Sequence, residues 1–352
     1  MTGINIWVGG YTPTMGGSAG GISLLRWDTD RTGLELLDTT ATSSPSFLAT
    51  GGGGLQGGLR SSPRSELGAG LRGGLLYATD EYGTGETGRI EAFRRGPSLS
   101  LEPLGGQPTS GGSPCHVSVT HDRLYVSNYR DGSIDVFPLL ADGLIGERIQ
   151  ALPSHGSGPN PVQAGPHAHS TLVRGFTVLS TDLGADRVHV HAIENGMLVR
   201  TGSVSLPAGT GPRDLVSNAA RTLLLGELQG TLFALDDRGQ VVAAGRVAAD
   251  WVDGDHAAGL AVDSSGSFLY TGLRGSNRIA VIRASDLSPV GTVPCGGDWP
   301  RHLCVIEGDV LLVANQLSST VAAFRIDAAT GIPHPIGSPV DVASPTFLLP
   351  VL

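Results

Sequence analysis

Cysteine is nearly missing from this chain. Cys115, Cys295 and Cys304 are an odd number, with no Cys-x-x-Cys spacing. That argues against a disulfide framework and for reduced thiols in a cytoplasmic protein. Basic charge is also short, with 23 Lys plus Arg against 32 Asp plus Glu and a net charge of −9. A counter-ion-releasing surface for nucleic acid is therefore not expected. No apolar run approaches the roughly 18 residues of a membrane helix. Residues 1–6 carry no basic stretch ahead of an apolar one, and so do not read as a signal peptide. Aromatic residues make up only 5%, but a hydrophobic content of 40% still permits a sizeable core. No segment holds a helical period for long.

Turn residues, by contrast, are abundant. The chain has 53 glycines and 22 prolines, spread between short apolar runs rather than gathered into tails. This pattern calls for many turns. One phrase recurs: a short apolar strand, a turn, a strand ending in a small or polar residue, a Gly/Ser/Asp turn, and an alternating strand. The clearest copy runs Cys115-His116-Val117, then Leu124-Tyr125-Val126-Ser127-Asn128, then Ile134-Asp135-Val136-Phe137. The position of Asn128 is matched by Asp80, Asp182, Gly226, Leu273 and Asn315, at successive separations of 48, 54, 44, 47 and 42 residues. Four-stranded propeller blades repeat at about 40–50 residues, and each strand alternates with the period of two expected of half-buried strands.

The first copy, Ile6-Trp7-Val8-Gly9-Gly10-Tyr11, lacks its leading strand. The C-terminal run Pro345-Thr346-Phe347-Leu348-Leu349-Pro350 is a strand without a copy. A ring in which the last strand completes the first blade accounts for both, and closure removes sheet edges. The fold class is therefore all-β: a seven-bladed β-propeller of four-stranded blades, forming a single domain over 1–352. A Gly-rich stretch at 51–74 interrupts one blade and is expected to be a flexible insert.

In a propeller the inner strands converge on a central channel, so residues distant in sequence can meet there. Pro166-His167-Ala168-His169-Ser170 opens one inner strand, and Pro212-Arg213 and Pro300-Arg301 open others. Glu227 or His169 could act there as a base, and Arg213 and Arg274 could hold a carboxylate, a phosphate or a developing oxyanion. His167, His116, Arg301 and Gln316 are candidates for substrate contact, with His116 and Arg301 placed at inner-strand starts like His169 and Arg213. Asp80, Glu81 and Asn128 read as turn and channel hydrogen-bond partners. A metal on His167-x-His169 or His189-x-His191 lacks a compact third ligand. His189 and His191, alternating with valines, read as the polar side of an outer strand. Gly16-Gly17-Ser18-Ala19-Gly20 matches a nucleophile-elbow pattern but leads into a strand rather than a helix.

The opening Val8-Gly9-Gly10-Tyr11-Thr12, with Asn128-Tyr129, Pro166-His167-Ala168-His169-Ser170, Asp182-Leu183-Gly184, Gly211-Pro212-Arg213, Pro300-Arg301-His302 and Ala314-Asn315-Gln316, resembles the seven-bladed propeller lactonase family. That family includes propeller-type 6-phosphogluconolactonases and fungal carboxymuconate lactonising enzymes. Three positions depart from its pattern: Asp214 stands in place of a histidine, Gly226 in place of an asparagine before Glu227, and Leu273 in place of an asparagine before Arg274. The resemblance implies His169, Arg213, Glu227 and Arg274 as the active-site set. It implies a cytoplasmic carboxylic-ester hydrolase of an acidic sugar lactone, with 6-phosphogluconolactone the first choice, needing no cofactor. The alternatives are a lactonising isomerase, a hydrolase of another carboxylated lactone, and a non-catalytic binding platform, since one fold hosts many functions.

Overall fold

The structure is a computed structural model and describes residues 3–29, 33–51, 74–82, 87–217 and 221–351. Of the Gly-rich stretch at 51–74 expected to be flexible, residues 52–73 lie outside the described residues. Short alternating strands joined by tight turns build seven antiparallel sheets, one per repeat. Blade 1 consists of Pro345–Pro350, Gly3–Gly10, Gly21–Asp28 and Gly33–Ala41, from the inside outwards. Blades 2 to 6 follow in chain order, with inner strands Pro45–Thr50, Pro114–Val119, Ala168–Arg174, Pro212–Ser217 and His256–Val262. Blade 7 begins with Pro300–Ile306, and its outermost strand is broken into Pro333–Pro335 and Val340–Asp341. Among the described residues the only helical turns are two three-residue 3-10 segments, Pro13–Met15 and Pro161–Gln163.

The ring closes as the sequence implies. Phe347 pairs with Gly9 and Leu349 with Trp7, so the C-terminal strand is the inner strand of the N-terminal blade. Each inner strand neighbours the inner strands of the blades on either side, all the way round. The core is divided accordingly into seven apolar clusters, and each spans the interface between two adjacent blades. The cluster between blades 7 and 1, for example, packs Leu312 and Val321 against Ile6, Leu25 and Leu348. Burial of a Leu or Val side chain is worth about 1.5–3 kcal/mol, so the ring is held at every interface rather than at one centre.

One turn recurs in five blades. Four residues beyond the second-strand repeat positions Asn128, Asp182, Gly226, Leu273 and Asn315, the backbone turns left-handed at Gly132, Asp186, Gly230, Asn277 and Ser319. Gly, Asn and Asp tolerate this conformation best, and they occupy four of the five positions. In blade 4 the aspartate at the end of the second strand serves the loop that enters the blade. Asp182 accepts the backbone N–H of His167 at 2.8 Å, which holds the histidine-containing segment at the mouth of blade 4. His189 and His191 are not surface residues of an outer strand. They lie on the third strand of blade 4 and are buried. His189 Nε2 contacts Ser154 and lies 3.8 Å from Asp182, and His191 Nε2 contacts Ser180. Burial lowers the His191 pKa to about 3, so this imidazole is a neutral interior hydrogen-bonding group.

Candidate active site

Strand register places two sets of equivalent positions around the channel. A residue at the start of each inner strand pairs with the last residue of the second-strand repeat position: Pro114 with Asn128, Ala168 with Asp182, Pro212 with Gly226, Ala257 with Leu273 and Pro300 with Asn315. One residue further along the inner strands stand Cys115, His169, Arg213, Ala258 and Arg301. One residue beyond the second-strand position stand Tyr129, Leu183, Glu227, Arg274 and Gln316. Blades 1 and 2 add Thr346 and Ser46 to the first set and Tyr11 and Glu81 to the second, from the pairs Pro345 with Gly10 and Pro45 with Asp80. The sets converge electrostatically: the charges of Arg213 and Arg301 act on Glu81, Cys115 and His169, in three other blades.

Glu227 is the hub. Its Oε2 accepts from Arg213 Nη1 at 2.6 Å. Its Oε1 lies 2.8 Å from Arg274 Nη2 and 3.2 Å from His256 Nδ1. All but His256 are buried. Burial opposes the carboxylate charge, but Arg274 and Arg213 outweigh it and hold Glu227 well below the ordinary carboxyl range. Burial also opposes the Arg213 cation, and Glu227 and Asp214 more than offset it, raising that guanidinium above its usual value. For Arg274 burial prevails and lowers the pKa to about 10, still charged at neutral pH. Trp299 roofs this side: the Arg274 guanidinium lies 5.5 Å from its ring centroid. Trp299 holds a left-handed backbone at φ 65°, a conformation costly for a bulky residue, and donates its backbone N–H to Asn277.

His169 lies beside this hub. Its Nδ1 is 3.7 Å from Asp214 Oδ1, and Arg213 Nε is 3.4 Å from Asp214 Oδ2. Both nitrogens are buried without a hydrogen-bond partner. Burial, reinforced by the Arg213 cation, holds the His169 imidazole well below its ordinary pKa, so it is neutral at physiological pH. Asp214 also accepts the Gly259 N–H at 3.0 Å. Gly259 is left-handed at φ 68°, and an added Cβ would sit 3.0–3.1 Å from Leu303 and His302. His167 stacks on Tyr129 with ring centroids 4.4 Å apart, and its Nδ1–H donates to the Tyr129 carbonyl at 2.6 Å. Tyr129 in turn meets the His169 ring edge-on at 6.1 Å. His167 thus supports the platform beside His169.

His116 is displaced from where the sequence alignment puts it. Pro114 pairs with Asn128 and His116 with Ser127, so a bulge falls at Cys115. Cys115, not His116, is the counterpart of His169, Arg213 and Arg301. His116 belongs one residue deeper, where side chains from four blades pack in series: His302 on Phe347 at 4.0 Å, Phe347 on Phe47 at 4.1 Å, and Phe47 on His116 at 4.3 Å. Burial lowers both histidines to about 3. This aromatic layer lies beneath the polar sets. Cys115 is a thiol with its pKa pushed up, first by burial and then by Glu81. Arg301 and Gln316 meet at 3.3 Å in blade 7, two blades on from Glu227 and next to blade 1. The structure therefore gathers His169, Arg213, Glu227 and Arg274, sets Arg301 and Gln316 in a second group, and leaves His116 below. Tyr11, Glu81, Tyr129, Asp214, His256 and Trp299 complete the mouth. The first three stand in the same repeat column as Glu227 and Arg274, one residue beyond the Asn128 column, which is the signal that would have found them.

The chain matches the family described as Lactonase, 7-bladed beta-propeller over residues 68–350 and belongs to it. It is 29% identical to a 6-phosphogluconolactonase of Bacillus subtilis over 294 residues, covering 77% of this chain and 82% of that one. A 6-phosphogluconolactonase of Formosa agariphila is 28% identical, over 74% and 80%. Among solved structures, the periplasmic gluconolactonase of Pseudomonas aeruginosa superposes with a TM-score of 0.87 at 27% identity, over 100% of this chain and 99% of that one. No helix among the described residues is long and apolar enough to cross a membrane.

Proposed function

We propose that the protein hydrolyses an acidic sugar lactone, with 6-phosphogluconolactone the leading substrate, and that His169 is the base. The observation that carries this reading is the state of the two candidate bases. Both Glu227 oxygens are occupied by Arg213, Arg274 and His256. A carboxylate engaged at both oxygens is a clamp for two guanidiniums rather than a free proton acceptor. His169 is neutral, next to that clamp, and has a ring nitrogen without a partner. Water attacks the lactone carbonyl carbon as His169 takes its proton. Arg213 and Arg274 donate to the oxyanion of the tetrahedral intermediate. The ring C–O bond then breaks, and the leaving oxygen takes the proton back from His169, which yields the hydroxy acid. Glu227 keeps the arginines in place throughout. The names of the relatives, lactonases of sugar lactones, support this substrate class.

The test is the pH dependence of the His169→Ala variant on 6-phosphogluconolactone. Loss of a general base costs roughly 10²–10⁴-fold. The residual rate should then rise in proportion to hydroxide, which replaces the missing base. A residual rate flat with pH would remove His169 from that role.

A further inference from the structure

The cations of the mouth are all arginines, since the chain has no lysine. They differ in how their charge is met. Arg213 and Arg274 share Glu227. Arg301 is met only by neutral groups: its Nη1 donates to Gln316 Oε1 at 3.3 Å and its Nη2 to the Tyr11 hydroxyl at 2.7 Å. Its guanidinium carbon lies 4.8 Å from the Tyr11 ring centroid. Among the described residues no carboxylate forms an ion pair with it. Glu81 is the acidic group nearest in this chain of contacts, but Tyr11 stands between, donating to Glu81 Oε1 and Oε2 at 3.0 and 3.1 Å. The hydroxyl therefore orients the arginine while keeping the carboxylate from capping it. A half-buried cation whose nearest carboxylate is held off by a hydroxyl has lost hydration without recovering the full energy of a direct ion pair. Burial also raises the Glu81 pKa, which weakens its power to neutralise Arg301 from a distance.

We propose that Arg301, oriented by Tyr11 and Gln316, is the seat for an anionic oxygen group, a phosphate or carboxylate, carried by the substrate at the end remote from the reacting carbonyl. Glu81 is a positioning residue that acts through the Tyr11 hydroxyl. The division of labour follows from charge: Arg213 and Arg274, already held by Glu227, serve the carbonyl, and Arg301 selects lactones that bring their own negative charge. This inference rests on the lactonase reading for its substrate, but not for its anion site.

The experiment compares 6-phosphogluconolactone with unphosphorylated glucono-δ-lactone in the wild type, Arg301→Gln and Tyr11→Phe. Hydrogen bonds to a charged group imply a loss of roughly 10- to 100-fold. Arg301→Gln should lower the ratio of kcat/KM for the phosphorylated over the neutral lactone by about that factor, through KM. Tyr11→Phe should lower the ratio in the same direction by less, and it carries the test if Arg301→Gln does not fold. An equal fall on both lactones, or a fall confined to kcat, overturns the proposal. If the wild type hydrolyses neither lactone, the lactonase reading fails on its own, and inorganic phosphate becomes the probe. Millimolar phosphate should then raise the melting temperature of the wild type and not of Arg301→Gln, and no shift in the wild type overturns the anion seat.

Discussion

Glu227 accepts a hydrogen bond from Arg213 at 2.6 Å, between the inner strand of blade 5 and the residue just beyond its second strand. The two side chains occupy the two repeat positions that ring the channel, so the pair is built by strand register rather than by a loop. Arg274, one blade on, closes the same carboxylate from its other oxygen.

Removing this carboxylate should destabilise the protein in a pH-dependent way. Breaking a buried pair leaves uncompensated charge and costs about 3–5 kcal/mol. Because the folded-state pKa of Glu227 is depressed, its stabilisation is present above the unfolded value and lost as pH falls toward the folded one. Urea unfolding of Glu227→Gln should therefore show a deficit that is larger at pH 7 than at pH 3.5. A deficit that grows on acidification would contradict the ion-pair assignment.

Glu81 carries the opposite sign. Burial raises its pKa, so its favourable contribution is present below the unfolded value and lost as pH rises through the folded one. Glu81→Gln, which keeps an acceptor for the Tyr11 hydroxyl, should gain in stability relative to the wild type from pH 4 to pH 8. The same unfolding series reads it, and parallel curves for wild type and variant would refute it.

His169 should remain neutral across the physiological range. Its pKa is depressed first by burial and then by Arg213, so its ring nitrogens should show no protonation shift between pH 7.5 and 5.5. Nitrogen NMR, with the signal assigned by its loss in His169→Ala, makes the measurement. A midpoint near 6.5 would place the ring in solvent.

Closure by the last strand predicts that a chain ending at residue 343 loses the ring. It would uncover the edge of Gly3–Gly10 and the packing of Leu348 on Ile6 and Leu25. Size-exclusion chromatography should show aggregation, whereas an unchanged monodisperse peak and melting temperature would argue that closure contributes little.

The ring was legible because strand period, turn residues and the unmatched strand at Pro345–Pro350 all point the same way. His169, Arg213, Glu227 and Arg274 were legible as a set because they stand at recurring positions. The one-residue error at His116 has a physical source. A bulge lies at the head of its inner strand, and there period-two alternation no longer tells which side chain faces the channel. Tyr11 and Glu81 were missed as a pair because their partnership with Arg301 crosses the seam between the two ends of the chain. The burial of His189 and His191 was missed because their partners, Ser154 in the loop that leads into blade 4 and Ser180 on the adjacent strand, hide polar groups inside the protein.

The central claim is tested most directly by steady-state hydrolysis of 6-phosphogluconolactone, corrected for the spontaneous rate, with the wild type, His169→Ala and Glu227→Gln side by side. The account predicts clear acceleration by the wild type and a loss of at least about 100-fold in each variant. Near-wild-type turnover in both variants, or no acceleration by the wild type, would contradict it.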